Sequence, residues 1–372
     1  MFDFANQSAF LDDISHLANT HLAPKVMEID KGYYPLAELE KLGKAGLFAP
    51  HLNEYGNRLD LAILANANVG RVCGTSAFVT WCHQVMGLYL DQSDNETLKR
   101  QMLKPHTLAD TFGGTALSNP MKTWANIEQM ILTAIPDGTG YRVSGTLPWI
   151  SHIAPHQYCG AVAKIDGTDD EVFFVLKFDD ERAGQWQLHA CPTFSGMEGS
   201  STWRIELGDY IVPKDDIIAN PCKDFIARIR GAFVLMQLGI GAGVIMGAID
   251  DIKHGTAVSN AFLEDQVGSL SLELDGLVAK TLSLAKTPFE THKDFFLDVL
   301  DARQQGAVLA LKATQSALLH QGAKGYVMTA YPQRRIREAH FVAIVTPAIK
   351  HIRYLSHQLM SEPKVKPIEY FI

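Results

Sequence analysis

The sequence predicts a chain with three parts: an N-terminal all-α domain, a middle antiparallel β-sheet domain and a C-terminal four-helix bundle. Two observations lead to this fold class. Apolar residues recur at helical spacing in the first and last parts of the chain. Between them lie short runs rich in β-branched and aromatic residues, separated by turn signals. We place the three domains at 1–110, 111–222 and 223–372.

Particular segments support each part. In the N-terminal part, Leu36, Leu39 and Leu42 lie on one face of a predicted helix. The predicted strands of the middle part include 141–143, 160–163, 172–176 and 203–207, with turns at 136–138 and 165–167. The predicted helices of the bundle are 233–252, 265–285, 294–322 and 348–360.

Composition excludes several classes of function. With 372 residues, of which 47% are hydrophobic and 20% charged, the chain can bury a large core. A net charge of −8 leaves no broad basic face for nucleic acid. The five cysteines lack C-x-x-C spacing, which predicts no disulfide framework, no metal site and a reducing, cytoplasmic location. The N-terminal residues lack a basic stretch before an apolar run, which argues against a signal peptide.

The longest apolar run, 232–249, invites comparison with a membrane span. It contains four glycines and Gln237, and we predict a core helix with no membrane insertion. Gly239, Gly241 and Gly243 form a G-x-G-x-G pattern inside this predicted helix. A nucleotide-binding glycine motif lies between a strand and a helix, so close helix packing explains these glycines better.

Four motifs occur in an informative order. Residues 116–120 read Ala-Leu-Ser-Asn-Pro, and residues 148–151 read Pro-Trp-Ile-Ser. Near the C-terminus, 322–326 reads Gly-Ala-Lys-Gly-Tyr, and 331–339 reads Tyr-Pro-Gln-Arg-Arg-Ile-Arg-Glu-Ala. Across nearly the whole chain these motifs resemble those of the acyl-CoA dehydrogenase superfamily. The order of helices, sheet and bundle resembles that family as well.

The resemblance implies FAD as the cofactor and acyl-CoA or a related thioester as the substrate. It also implies an electron-transfer protein or a flavin reductase as a redox partner. A flavin ring needs an apolar wall and placed hydrogen-bond donors. By resemblance, the cofactor-binding residues around the ring are Leu117, Ser118, Trp149, Ile150 and Ser151. The glycine loop of relatives meets the FAD of a neighbouring subunit, which implies a homodimer or homotetramer and adds Gly322, Ala323, Gly325 and Tyr326.

The catalytic residue is the main departure from the family. Alignment places Thr346 where many dehydrogenases carry a glutamate, and a second family location holds Ile229. A threonine hydroxyl is too weak a base to remove an α-proton at neutral pH, so the base is unknown. Thr346 and Pro347 also suit the N-cap and first position of the last helix. Arg230 matches an arginine near the family active site, or is a surface cation.

Two further features qualify the resemblance. Residues 256–264 contain no arginine where relatives usually carry one for the FAD pyrophosphate, and Leu319 replaces a glutamine. FAD would therefore need other phosphate partners.

Three histidines invite acid–base roles, but without an identifiable partner each is more typical of a structural or surface residue. They are His83, His152 and His156.

Three functions follow as hypotheses. The first is FAD-dependent oxidation of an acyl thioester at Cα–Cβ, with hydride transfer to flavin N5. The second is a flavin-dependent monooxygenase, or an enzyme that cleaves a C–S or C–N bond, without α-proton abstraction. The third is a non-catalytic scaffold relative.

Overall fold

The computed structural model describes residues 2–255 and 257–361. Its N-terminal part contains only helices, as the apolar periodicity predicts. Residue 256, the first of the segment that lacks arginine, lies outside the described residues. The helices of this part are α1 (Gln7–His21), α2 (Val26–Ile29), α3 (Leu36–Lys44), α4 (Leu59–Val72), α5 (Gly74–Gln92) and α6 (Glu96–Thr107).

The middle part forms one sheet of eight strands with the order β6-β7-β3-β2-β4-β5-β8 and with β1 beside β4. The strands are β1 (Gly113–Thr115), β2 (Leu132–Asp137), β3 (Gly140–Ile150), β4 (Tyr158–Ile165), β5 (Glu171–Lys177), β6 (Trp186–Ala190), β7 (Trp203–Val212) and β8 (Ile217–Ala219). A short helix, α7 (Ser118–Trp124), lies between β1 and β2.

The sheet is antiparallel except at β4, which pairs in parallel with β1 and β2. Five of the seven strand pairs in the described part of the chain are antiparallel, as the sequence predicts, and the two parallel pairs at β4 are an addition to that prediction. The hairpin of β2 and β3 occupies one edge of β2. The loop after β3 is longer than a hairpin turn, so β4 reaches the other edge of β2 and runs parallel to it.

The C-terminal part contains α8 (Lys223–Lys253), α9 (Val267–Leu284), α10 (Lys293–Gln321), α11 (Tyr331–Ile344) and α12 (Ile349–Ser361). The sequence predicts four of these helices, and the structure adds α11. Pro332 lies in its first turn, which suits a helix start. Arg334, Arg335 and Glu338 face the interior, so α11 lacks the apolar stripe by which a helix is recognised.

Helix α8 is the central core helix, as predicted. Among the described residues it alone is long and apolar enough to cross a membrane, and 94% of its apolar window is buried inside the protein. A Cβ atom at Gly239 would lie 2.7 Å from the carbonyl oxygen of Ile63, and one at Gly243 would lie 2.5 Å from that of Ala67. These glycines therefore serve the close packing of α8 on α4.

Both faces of the sheet are covered. Along β5, Phe173 and Val175 belong to the helical core, while Phe174 and Leu176 belong to a separate core on the other face. This alternation is the two-residue period of a strand. The N-terminal helices and the bundle share one continuous core, against which the sheet packs.

Four fully buried histidines lie where α5 and α6 meet the sheet: His51, His83, His106 and His152. The rings of His83 and His106 stack with centroids 3.6 Å apart. His83 Nε2 donates to the carbonyl oxygen of His106 (3.0 Å), and His106 Nε2 donates to that of His83 (2.9 Å). Burial lowers the pKa of His51 to about 4 and the pKa values of His106 and His152 to about 3. The native protein thus holds these imidazoles neutral.

We expect the free energy of unfolding to fall as the pH drops below 6.5. The histidines of the unfolded chain take up protons near pH 6.5, whereas the native imidazoles stay neutral until the pH is far lower. Each buried histidine should cost about 1 to 1.5 kcal/mol at pH 5.5. Urea unfolding at pH 7.5 and 5.5 measures the difference. His51→Gln keeps a donor for the carbonyl of Gln84 but cannot titrate, so its pH dependence should be shallower. Equal pH dependence in the two proteins would contradict this account.

Candidate active site

A hydrogen bond between two hydroxyls joins the middle part to the bundle. Ser118 begins α7, directly after β1, and Thr346 lies in the turn between α11 and α12. Ser118 Oγ and Thr346 Oγ1 are 2.9 Å apart. Ser118 is exposed and Thr346 is half-buried, so a ligand can reach this pair. We call it the Ser118–Thr346 seam.

The turn around Thr346 is also held from inside the bundle. Gln237 Nε2 on α8 donates to the carbonyl oxygen of Thr346 at 2.8 Å. Helix α12 begins at Ile349, and its first backbone bond runs from Ile352 to Ala348. The prediction that Thr346 caps this helix is therefore wrong, because its hydroxyl bonds to Ser118 instead.

The predicted flavin wall lies at the end of β3. Trp149 is 63% exposed, and its ring makes an edge contact with Phe194 at 6.4 Å between centroids. Ser151 Oγ lies 2.7 Å from Thr202 Oγ1, which lies 2.8 Å from Ser200 Oγ. An exposed tryptophan in the same segment as a chain of hydroxyls offers both an apolar face and hydrogen-bonding groups to a ligand.

Strand β1 connects these two groups of residues. A Cβ atom at Gly114 would lie 2.9 Å from the carbonyl oxygen of Ser151, so β1 runs directly against the end of β3. Four residues later the chain reaches Ser118. The side chains of Leu117 and Ile150 are buried in the core, so they support this surface from behind.

The glycine loop lies elsewhere within the chain. Gly322–Tyr326 forms a short 3₁₀ turn at the end of α10, before α11 begins. Helix α11 has 14 residues and is about 21 Å long, and Thr346 follows its far end. The structure therefore does not bring Gly322, Ala323, Gly325 and Tyr326 to the seam of the same chain. Tyr326 is 78% exposed.

Arg230 is held by packing and is not a free surface cation. Its guanidinium lies 4.2 Å from the ring centroid of Phe296, and Nη2 donates to the carbonyl oxygen of Thr291 at 3.3 Å. Burial lowers its pKa. Ile229, at the second family location for a base, is buried and apolar.

Two polar residues behind the seam, Gln237 and Arg303, are not predicted as site residues by the sequence. Arg303 on α10 is 2% exposed and donates from Nε to Gln237 Oε1 at 2.8 Å and from Nη2 to the carbonyl oxygen of Val342 at 2.6 Å. Burial lowers the pKa of Arg303 to about 10. The only sequence signal was Gln237 itself, a lone amide in an apolar run. Arg303 resembles any surface charge on a long helix.

None of the three histidines considered in the sequence has a described hydrogen bond to Ser118 or Thr346. His83 and His152 belong to the buried cluster, where His152 Nδ1 pairs with the hydroxyl of Tyr34 at 2.6 Å. His156 is exposed. In the described part of the chain, no group of three or more His, Cys, Asp or Glu residues is arranged to hold a metal ion.

Comparison with known proteins agrees with this arrangement. Residues 5–109 match the family model for the acyl-CoA dehydrogenase N-terminal domain. The human mitochondrial short-chain specific acyl-CoA dehydrogenase is 23% identical over 367 residues, which span 92% of this chain and 88% of that protein. Residues 5–109 thus match the N-terminal domain of acyl-CoA dehydrogenases, and the chain is similar to members of the acyl-CoA dehydrogenase superfamily over 92% of its length.

Solved structures show the same fold. Butyryl-CoA dehydrogenase from Megasphaera elsdenii superposes with a TM-score of 0.83 at 17% identity, covering 97% of this chain and 99% of that one. Dibenzothiophene monooxygenase from Paenibacillus sp. A11-2 gives 0.78 at 17% identity, covering 98% and 100%. The monooxygenase has also been solved with FMN bound. The acyl-CoA dehydrogenase fold therefore occurs in both dehydrogenases and a monooxygenase.

We expect Trp149→Ala to change the free energy of unfolding by less than about 0.5 kcal/mol, because the side chain is mostly exposed. The matched control is Trp81→Ala, which removes a side chain that is 3% exposed and should cost about 3 to 5 kcal/mol. Urea unfolding measures both. A cost for Trp149→Ala as large as for Trp81→Ala would identify Trp149 as a packing residue.

Proposed function

We propose that the protein is a flavin-dependent oxidoreductase that oxidises an acyl thioester such as acyl-CoA at Cα–Cβ. The observation that carries the flavin assignment is the exposed Trp149 at the end of β3, against which β1 runs before the chain reaches Ser118. The hydroxyls of Ser151 and Ser118 follow these two strands. The acyl-CoA assignment rests on the relatives named above. A bound flavin would supply the hydride acceptor, N5, for this reaction.

These residues fit the flavin ring. The face of Trp149 provides a flat apolar wall, and the hydroxyls of Ser118 and Ser151 can donate to polar atoms at the ring edge. These residues would exclude water from one face of a bound flavin and would orient its ring. Thr346 can donate a hydrogen bond to a substrate oxygen, but it cannot accept an α-proton at neutral pH.

We propose that the flavin is FAD and that the glycine loop of a second copy of the chain completes the FAD-binding site. Several exposed apolar side chains surround the glycine loop: Val258, Phe262, Leu319, Tyr326, Val327 and Met328. An exposed group of this kind is typical of a protein interface. We infer a homodimer or homotetramer and a cytoplasmic location. Light scattering tests the assembly, because a mass of 41.0 kDa would mean a monomer.

A second candidate is monooxygenation, or cleavage of a C–S or C–N bond, without α-proton abstraction. The hydrogen bond between Ser118 and Thr346 favours it, because that position offers hydroxyls and no carboxylate. A flavin reductase would then be the redox partner, whereas an electron-transfer protein would serve the dehydrogenase. A non-catalytic scaffold would bind no flavin.

We expect the gently purified protein to show flavin absorption bands that survive gel filtration. Release by denaturation and chromatography identifies FAD or FMN. Anaerobic titration with butyryl-CoA should bleach the bands if the protein is a dehydrogenase. Oxygen consumption only in the presence of a flavin reductase and NADH would instead support the second candidate. A colourless protein that added FAD and FMN leave colourless would overturn both.

We expect Thr346→Glu to raise the rate at which butyryl-CoA bleaches the flavin anaerobically by at least about tenfold, because a carboxylate at this position can accept the α-proton. If the parent protein shows no bleaching, the variant should show it. Thr346→Gln is the matched control, since it has nearly the same shape and no basic group. Stopped-flow absorbance measures the rate of bleaching in both variants and in the parent protein. If the flavin binds normally and Thr346→Glu behaves like Thr346→Gln, position 346 does not face the substrate α-carbon.

A further inference from the structure

Arg303 is a fully buried cation without an anionic partner. Its guanidinium bonds to the side chain of Gln237 and to the carbonyl oxygen of Val342. Among the described residues, no carboxylate lies within 4.0 Å of it. The positive charge of Arg303 is therefore not neutralised by an ion pair in the described part of the chain. Burial of a charged group without an opposite charge has a large unfavourable desolvation free energy.

Both hydrogen bonds of Arg303 lead to the turn that carries Thr346. Val342 lies in the last turn of α11, whose carbonyl groups lack helical partners and carry partial negative charge. Gln237 accepts from Arg303 through Oε1 and donates through Nε2 to the carbonyl oxygen of Thr346. Arg303 therefore orients the amide of Gln237 and fixes this turn.

The exposed end of this network is the Ser118–Thr346 seam. Two hydroxyls carry two protons, and their mutual bond uses one, so the other can be donated to a ligand. Ser118, Thr346, Gln237 and Arg303 are linked only to neutral groups in the described part of the chain. The network thus has a net charge of +1, and only its hydroxyl end is open to solvent.

We propose that Arg303 gives the Ser118–Thr346 seam a positive electrostatic potential, so that the seam binds a ligand through an oxygen atom that carries negative charge. The ligand class is a carboxylate, or a carbonyl compound that binds in its enolate form. Arg303 is a positioning residue that acts through Gln237, and the two hydroxyls make the contact.

This inference rests on the proposed function only for the identity of the site. The charge at the seam can be measured without flavin or thioester, so the two proposals can fail separately. If the seam is positive and butyryl-CoA does not react, only the proposed function falls. If butyryl-CoA reacts and the seam is neutral, only this inference falls.

The pKa of a thiol introduced at the seam measures the electrostatic potential there. We would introduce Thr346→Cys in a Cys191→Ser background, because the other four cysteines are buried. The rate of alkylation by iodoacetamide against pH gives the pKa of the new thiol, which is about 8.5 in an unperturbed cysteine. We expect a lower value, and we expect Arg303→Gln to raise it by about one unit.

Controls separate charge from structure. Arg303→Gln keeps hydrogen-bond donors and removes the charge, whereas Arg303→Lys keeps the charge and loses the planar fork. A structural role alone predicts the same thiol pKa in both variants. If Arg303→Gln unfolds, as judged by circular dichroism, Arg303→Met provides the uncharged variant, since it replaces the guanidinium with an apolar chain. An unchanged thiol pKa in a folded uncharged variant overturns the proposal.

Ligand preference provides the second test. Butyrate and butyramide have nearly the same shape and differ in charge. Calorimetric titration should show that the parent protein binds butyrate about tenfold more tightly than the Arg303→Gln variant does. The affinity for butyramide should be the same in the two proteins. If both ligands respond equally to Arg303→Gln, or if the parent protein prefers butyramide, the seam does not select negative oxygen.

Discussion

The burial of α8 is the constraint on which the rest of the structure depends. The middle of this helix, 232–249, is apolar on all sides except at Gln237, and the helix packs against α4, α5, α9, α10 and α11. Because Gly239 and Gly243 have no side chains, the backbones of α4 and α8 are in direct contact at these positions. Gly247 leaves space for the guanidinium of Arg335 from α11, since a Cβ atom there would lie 2.1 Å from Arg335 Cζ. The two helical parts therefore form one core, and the sheet packs on it as a second layer.

The candidate site follows from this arrangement because it lies where the two layers meet. The sheet contributes Trp149 and Ser151 from the end of β3 and Ser118 from the segment after β1. The bundle contributes the turn with Thr346, which Gln237 on the buried α8 holds in place. A rigid central helix thus fixes a hydroxyl at the edge of a separate sheet. Rigid support of this kind is what a binding site needs for a defined geometry.

The sequence predicted the parts of the site better than their arrangement. The motif around Trp149 predicts a wall residue, and the structure leaves that side chain 63% exposed. Helix α11 was missed because its inward face is polar, so no apolar stripe marks it. Arg303 was missed because nothing in a helical sequence distinguishes a buried arginine from an exposed one. The local pattern of Thr followed by Pro predicts a helix cap at Thr346, whereas the hydroxyl of Thr346 bonds to Ser118, which is far away in the chain.

The sequence by itself determined the order of helices, sheet and bundle, the apolar character of α8 and the absence of a carboxylate at position 346. Each of these is a property of consecutive residues, because periodicity and side-chain chemistry are local. Only the tertiary structure decided that Ser118 bonds to Thr346, 228 residues away, and that Arg303 lies buried behind them. It also placed the glycine loop at the far end of α11 from the seam. Such contacts depend on how whole helices and strands pack, and no local pattern specifies them.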